Sequence, residues 1–221
     1  MELVREADAR PGGAVYEFRT VTAIDGDDVT IGRGEAADGG DETAGGSDVA
    51  CGGCEVTFKA RPLSRLFKPG MAVYPYVATC GPDMAKYGET LTDPLEKFWW
   101  DTIMQTAVGN VLRAMTQELE RIVGTKLIAV NPGSIQLWPI TNQPALFSLI
   151  GGVKEKIGVT VAPSFLMLPL KSVSGIYFSG GGEFTHNCCL CERAVCPNRR
   201  APFDPQLKAE LEGEARSMFP D

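Results

Sequence analysis

The sequence predicts an α+β fold. Residues 14–31 carry the alternation and turn of a β-hairpin, residues 93–123 carry the apolar spacing of one long helix, and the remaining strands and helices follow one another without regular alternation. The third observation argues against a doubly wound parallel sheet, which needs strand and helix to alternate along the chain.

The hairpin is read from Val15, Tyr16, Phe18 and Thr20, then Ala23 and Ile24, the Asp25-Gly26 turn, and Val29 and Ile31 on the return. Residues 32–50 are dominated by Gly, Asp, Glu and Ala and lack a large apolar residue before Val49. They read as a solvated insert whose acidity is solubilising. Ordered patterning resumes at Cys51-Gly-Gly-Cys54, with a strand on Val56, Phe58 and Ala60 and a short helix on Leu63, Leu66 and Phe67. An apolar run over 71–79 holds Pro75, which cannot donate to a ladder and so marks an edge or a kink. The long helix opens at Asp93-Pro94, a capping residue followed by proline at the first helical position. Gly109 lies at its middle, where glycine costs about 1 kcal/mol relative to alanine; close helix packing is the expected reason, and room for a ligand is the alternative.

A strand at 126–130 leads to the Asn131-Pro-Gly133 loop. Thr141 is placed to cap a helix ending at Gly151-Gly152, strands are expected near 157–168 and 172–178, and a final helix opens at Asp204-Pro205 with Leu207, Leu211, Ala215 and Met218 on one face. The chain thus divides into an N-terminal hairpin and acidic insert (1–54), a core (55–180) and a cysteine-rich tail with the terminal helix (181–221).

Composition removes several function classes. With 221 residues and 44% apolar content, the chain can bury a substantial core. A net charge of −7 gives no basic face for nucleic acid. No apolar run approaches the roughly 20 residues of a membrane span, and the N-terminus lacks the apolar core of a signal peptide, which implies a cytoplasmic chain with reduced thiols. The glycines at 180–182 fit neither a phosphate loop nor a dinucleotide fingerprint and read as a turn into the cysteine loop. No Gly-x-Ser-x-Gly elbow accompanies the single histidine, His186.

The strongest chemistry lies at Cys188, Cys189, Cys191 and Cys196. A reducing compartment favours metal over disulfides, and the spacing Cys188-x2-Cys191-x4-Cys196 lets three sulfurs approach one centre. Adjacent side chains diverge, so Cys189 is a poor partner for Cys188, and the fourth ligand is expected at Cys80, with Cys51 or Cys54 next. Arg199 and Arg200 suit an anionic iron–sulfur cluster, of the 4Fe–4S type, whose charge they would offset. Zinc is the rival, because Cys51-x2-Cys54 and Cys188-x2-Cys191 would supply two pairs. His186 is either an exposed loop residue or a further ligand.

The segment Ser164-Phe-Leu-Met-Leu-Pro-Leu-Lys-Ser-Val-Ser-Gly-Ile-Tyr-Phe-Ser179 resembles the reactivation domain of cobalamin-dependent methionine synthase, as do Asn131-Pro-Gly133 with Trp138-Pro139. Ala78-Thr-Cys-Gly-Pro82, the long helix and the Cys-x2-Cys-x4-Cys-Pro-x-Arg-Arg-Ala-Pro tail resemble small stand-alone relatives of that domain. The likeness covers residues 55–205. It implies a mixed, mainly antiparallel twisted sheet with flanking helices, and a pocket built by Gly133, Pro139, Ser172, Ser174, Gly175 and Tyr177. It further implies S-adenosylmethionine and a cobalamin carried by a partner: a corrinoid protein, or a methionine synthase lacking its own reactivation domain. The expected role is then an accessory to reductive reactivation, related to methyltransferase chemistry. A non-enzymatic corrinoid-protein-binding module with a structural zinc site is the alternative. The family has an arginine before its Pro-Gly and a tyrosine after it. Here Ala129 and Ser134 stand there, so the guanidinium that would pair with the ligand's carboxylate is missing.

Overall fold

The computed structural model describes residues 12–32, 55–134, 138–180, 182–197 and 199–212. Cys51, Cys54, most of the acidic insert, Ala215 and Met218 lie outside the described residues.

Seven strands form one antiparallel sheet: β1 (Gly13–Tyr16), β2 (Arg19–Asp25), β3 (Asp28–Gly32), β4 (Val56–Lys59), β5 (Ala72–Thr79), β6 (Ile128–Val130) and β9 (Ser172–Phe178). Their order is β4-β3-β2-β5-β9-β6, with β1 also paired to β5. This is the mainly antiparallel sheet that the family resemblance implies. The Asp25-Gly26 turn closes the β2–β3 hairpin, with Asp25 opposite Asp28. The hairpin and the core share this one sheet, because β2 also pairs with β5 and β3 with β4.

Pro75 occupies the sheet's central strand, not an edge. Strand β5 is flanked by β9 on one side and by β1 and β2, end to end, on the other. The ladder breaks at Glu17 and Phe18, between those two strands, and Glu17 N–H donates to Pro75 O at 3.0 Å. The nitrogen that cannot donate thus points at the one interruption in the neighbouring strands.

Helix α3 (Pro94–Val123) crosses one face of the sheet, where Met115 and Leu119 bury Tyr74, Tyr76 and Tyr177. Asp93 Oδ1 accepts from Leu95 N–H and Glu96 N–H at 2.8 and 3.0 Å, and Gly124 ends the helix in a left-handed conformation. Helix α2 (Pro82–Thr90) packs beside it through Trp100, whose Nε1–H donates to Met84 O at 2.9 Å. The other face holds the main core, covered by α1 (Arg61–Leu66), α4 (Gln143–Ile150) and α6 (Pro205–Glu212). Here Leu207 and Leu211 tie the tail to Phe58, Leu63, Trp138 and Phe178.

Three local expectations give way. Thr141 does not cap α4; it lies within a 3-10 turn, Ile140–Asn142, that runs directly into the helix. The expected strand over 157–168 becomes helix α5 (Val153–Ile157) and a two-stranded ladder of β7 (Thr160–Val161) and β8 (Met167–Leu168). Gly158 ends α5 with positive φ, and Phe165, also at positive φ, turns the chain between the two short strands. Beyond the helix's own backbone, no atom of the described residues lies within 4 Å of where a Cβ on Gly109 would stand, so none of them packs against it.

Candidate functional site

Strand β9 alternates its side chains between the two faces. Ser172 and Ser174 point one way; Tyr177 points to α3, where it stacks on Tyr76 at 4.3 Å and its hydroxyl meets Thr116 Oγ1 at 2.7 Å. Gly175 is required at its place, since a Cβ there would lie 2.4 Å from Asn131 Nδ2 and 2.6 Å from Val130 O. The backbone of β9 is thereby brought against the turn that follows β6.

That turn is closed by Gly133 N–H donating to Trp138 O at 2.7 Å, with Gly133 at a φ of +79°. Pro139 follows as the exposed entry to the 3-10 turn. Asn131 is the hub. Its Nδ2 donates to Ser174 O at 2.6 Å and Tyr76 OH at 2.8 Å, and its Oδ1 accepts from Asn187 Nδ2 at 2.7 Å. Asn187 begins the 3-10 turn Asn187–Leu190 in the cysteine loop, so one side chain ties that loop to two strands.

The result is a cavity of about 510 Å³. One wall is Asn131, Pro132, Ser134 and Ile140; a second is Ser172, Val173 and Ser174 of β9; the third is His186, Asn187, Cys188 and Cys191. Gln143 contributes a buried amide whose Oε1 accepts from Ser174 Oγ at 2.9 Å. Of the pocket residues expected from sequence, Ser172 and Ser174 line the cavity, Gly133, Pro139 and Gly175 shape its backbone neighbours, and Tyr177 lies on the opposite face of the sheet. Asn131, Gln143 and Asn187 escape a sequence reading, because their roles arise from contacts far apart along the chain.

The cysteine loop behaves as adjacent side chains require. Cys188 lines the cavity, while Cys189 turns into the main core. Burial raises the Cys189 thiol, but hydrogen bonds from Thr185 and from the His186 backbone outweigh it and hold the thiol below its ordinary range. Arg200 N–H lies 3.5 Å from Cys188 Sγ. The Arg199 guanidinium donates to the carbonyls of Cys188 (3.2 Å), Cys191 (3.3 Å), Ala201 (3.4 Å) and Arg193. Arg199 therefore sets the shape of the loop. His186 accepts from Cys188 N–H through Nδ1 at 3.0 Å, and burial, then the nearby Arg200, holds its pKa below the ordinary histidine value. Cys196 is half-buried in the same loop. Cys80 lies at the end of β5, one residue beyond the Thr79 hydroxyl that accepts from Ser172 Oγ at 2.9 Å. It is fully buried, its Sγ is 3.6 Å from Gly81 O, and burial pushes its thiol up.

Among the described residues, no three His, Cys, Asp or Glu side chains are gathered closely enough to hold a metal ion. The donor chemistry still fits a thiolate-bound centre on the loop: Cys188 and Cys191 share the cavity wall, and a backbone N–H already approaches one sulfur. S-adenosylmethionine fits less well. None of the described lining residues is Lys or Arg, and the cation beside the lining residue His186, Arg200, is not itself part of the wall.

The fold is that of a MetH reactivation domain. The chain matches the crystal structure of the MetH reactivation domain bound to AdoHcy with a TM-score of 0.56 and 17% sequence identity, over 77% of this chain and 59% of that one. It therefore spans about three-fifths of that structure. No family model and no curated protein matches the sequence. Among the described residues, no helix is long and apolar enough to cross a membrane.

Proposed function

We propose that this chain is an accessory protein for the reductive reactivation of a corrinoid protein, acting through an iron–sulfur centre on Cys188, Cys191 and Cys196 with Cys80 as the fourth ligand. The observation that carries the reading is the shared cavity: the cysteine loop forms one wall of the pocket whose other walls are β9 and the turn after β6. The likeness in fold to the MetH reactivation domain supports it. Held by those four thiolates, such a cluster would supply a one-electron reductant of low potential for a cob(II)alamin carried by a docked partner.

The chain's own residues do the positioning. Arg199 pins the carbonyls of the loop, Asn187 and Asn131 bind it to the sheet, and the Arg200 N–H lowers the charge density on the Cys188 sulfur. Burial of Cys80 opposes its ionisation, so its thiolate requires a cationic centre for compensation. The described wall of the cavity places no Lys or Arg for the carboxylate of S-adenosylmethionine, so the role proposed is electron transfer without methyl transfer.

The test is anaerobic purification, iron and sulfide analysis, and reduction. Expected are a broad band at about 400 nm that bleaches with dithionite, and oxidation of the reduced protein on mixing with a corrinoid protein in the cob(II)alamin state. A colourless, zinc-loaded protein sinks the electron-transfer reading and favours a corrinoid-protein-binding module.

A further inference from the structure

Helix α3 is apolar on two opposite faces. Trp100, Met104 and Val108 turn inward, with Trp100 and Met104 meeting α2 at Gly88. Leu95, Phe98, Trp99 and Ile103, at helical spacing on the other side, are 63%, 62%, 57% and 48% exposed. A helix hydrophobic on both sides is the pattern of one buried on both sides. Nothing in the described chain covers the outer face.

This face is also prepared for dry contact. Its two hydroxyls are satisfied within the helix: Thr102 Oγ1 donates to Phe98 O at 3.1 Å and Thr106 Oγ1 to Thr102 O at 2.9 Å. Covering them strands no donor. Further along, the same face narrows to Thr106 and Gly109, where no atom of the described residues outside the helix's own backbone stands within 4 Å of the missing Cβ, and ends at the exposed Arg113. From Leu95 to Arg113 the stripe is about 27 Å long at about 1.5 Å per residue. It is bulky at its N-terminal end and empty at its C-terminal end.

We propose that this face is the interface of a homodimer, with α3 packed antiparallel against α3 of a second copy about a twofold axis near Thr102. Positions on the two helices then pair so that Leu95 enters the gap at the second copy's Gly109 and Phe98 lies over its Thr106. Leu95 and Phe98, the bulky end of the stripe, thus meet the small residues at its other end, as interdigitated helices require. The same pairing brings Arg113 to the acidic first turn of the other helix, at Asp93 and Glu96. A parallel pairing would set Leu95 on Leu95 and Arg113 on Arg113, leaving the gap unfilled and like charges opposed. The isologous antiparallel arrangement closes on itself. It also supplies the close packing at Gly109 that the single chain lacks.

Sedimentation or light scattering of the full chain across a wide concentration range tests this. The wild type is expected at about twice its 23.7 kDa chain mass. Gly109→Leu fills the gap with a side chain that meets nothing in the monomer and improves helix propensity, so it should yield a folded single-chain species with unchanged helical circular dichroism. Trp99→Ser should give the same mass, and Arg113→Glu should raise the dissociation constant roughly tenfold, more at low salt. Wild-type protein that stays at single-chain mass at the highest concentration overturns the proposal. So does a Gly109→Leu variant that dimerises as the wild type does.

Discussion

Asn131 shows how much of the site hangs on one amide. Three hydrogen bonds of 2.6–2.8 Å run from it to β5, β9 and the cysteine loop. Asn131→Ala leaves the Tyr76 hydroxyl and the Asn187 amide without that partner, and is expected to cost about 2–3 kcal/mol in urea unfolding. It should also speed alkylation of Cys188 by a thiol reagent, because the loop loses its tie to the sheet; an unchanged rate would show that Arg199 alone sets the loop. The cysteines divide in the same way. Cys188→Ser should abolish metal loading, whereas Cys189→Ala should load normally and cost about 1 kcal/mol for a small buried cavity. Equal loss of iron in both variants would mean that the two side chains do not act as oppositely as their burial suggests. At this scale the sequence was partly legible. Divergence of Cys188 and Cys189 follows from adjacency, and the close approach at Gly175 is what a glycine between serines in a strand invites. The Asn131 contacts were not legible, since its partners at 76, 174 and 187 are separated by long stretches of chain.

Helix α3 runs over the expected residues because its cap, its N-terminal proline and its final glycine are all local. Asp93→Ala removes the acceptor for two backbone N–H groups and should lower stability by about 1 kcal/mol, while Asp93→Asn retains most of it; a thermal melt compares the two, and equal losses would deny the cap its role. Pro75 is the opposite case. Proline normally excludes a central strand, and only the break between β1 and β2 makes it tolerable, a feature of how distant segments pair. The strand expected over 157–168 failed because the apolar run conceals Gly158 and the positive φ of Phe165, which fold it into a short hairpin. Apolar spacing in α3 gave its position but not its burial: Leu95, Phe98, Trp99 and Ile103, on that spacing, face outward.

For the whole molecule, the decisive feature is that β5 is held by N-terminal strands on one side and by the site strand β9 on the other. Val15, Val21, Val29 and Ile31, all before the acidic insert, are buried in the same cores as the residues behind the pocket. At about 1.5–3 kcal/mol for each buried aliphatic side chain, these four contribute an amount comparable to the whole net stability of a domain, about 5–15 kcal/mol. A fragment beginning at Glu55 would keep every residue of the cavity wall, but β5 would become a long apolar edge strand and β4 would lose its ladder partner β3. Such a fragment is therefore expected to show no cooperative urea transition and to aggregate, and adding back a peptide of residues 12–32 should restore folding in part. Cooperative unfolding of the 55–221 fragment at the full chain's midpoint would show instead that the N-terminal strands are an appendage, and that the site is built by the core and the tail alone.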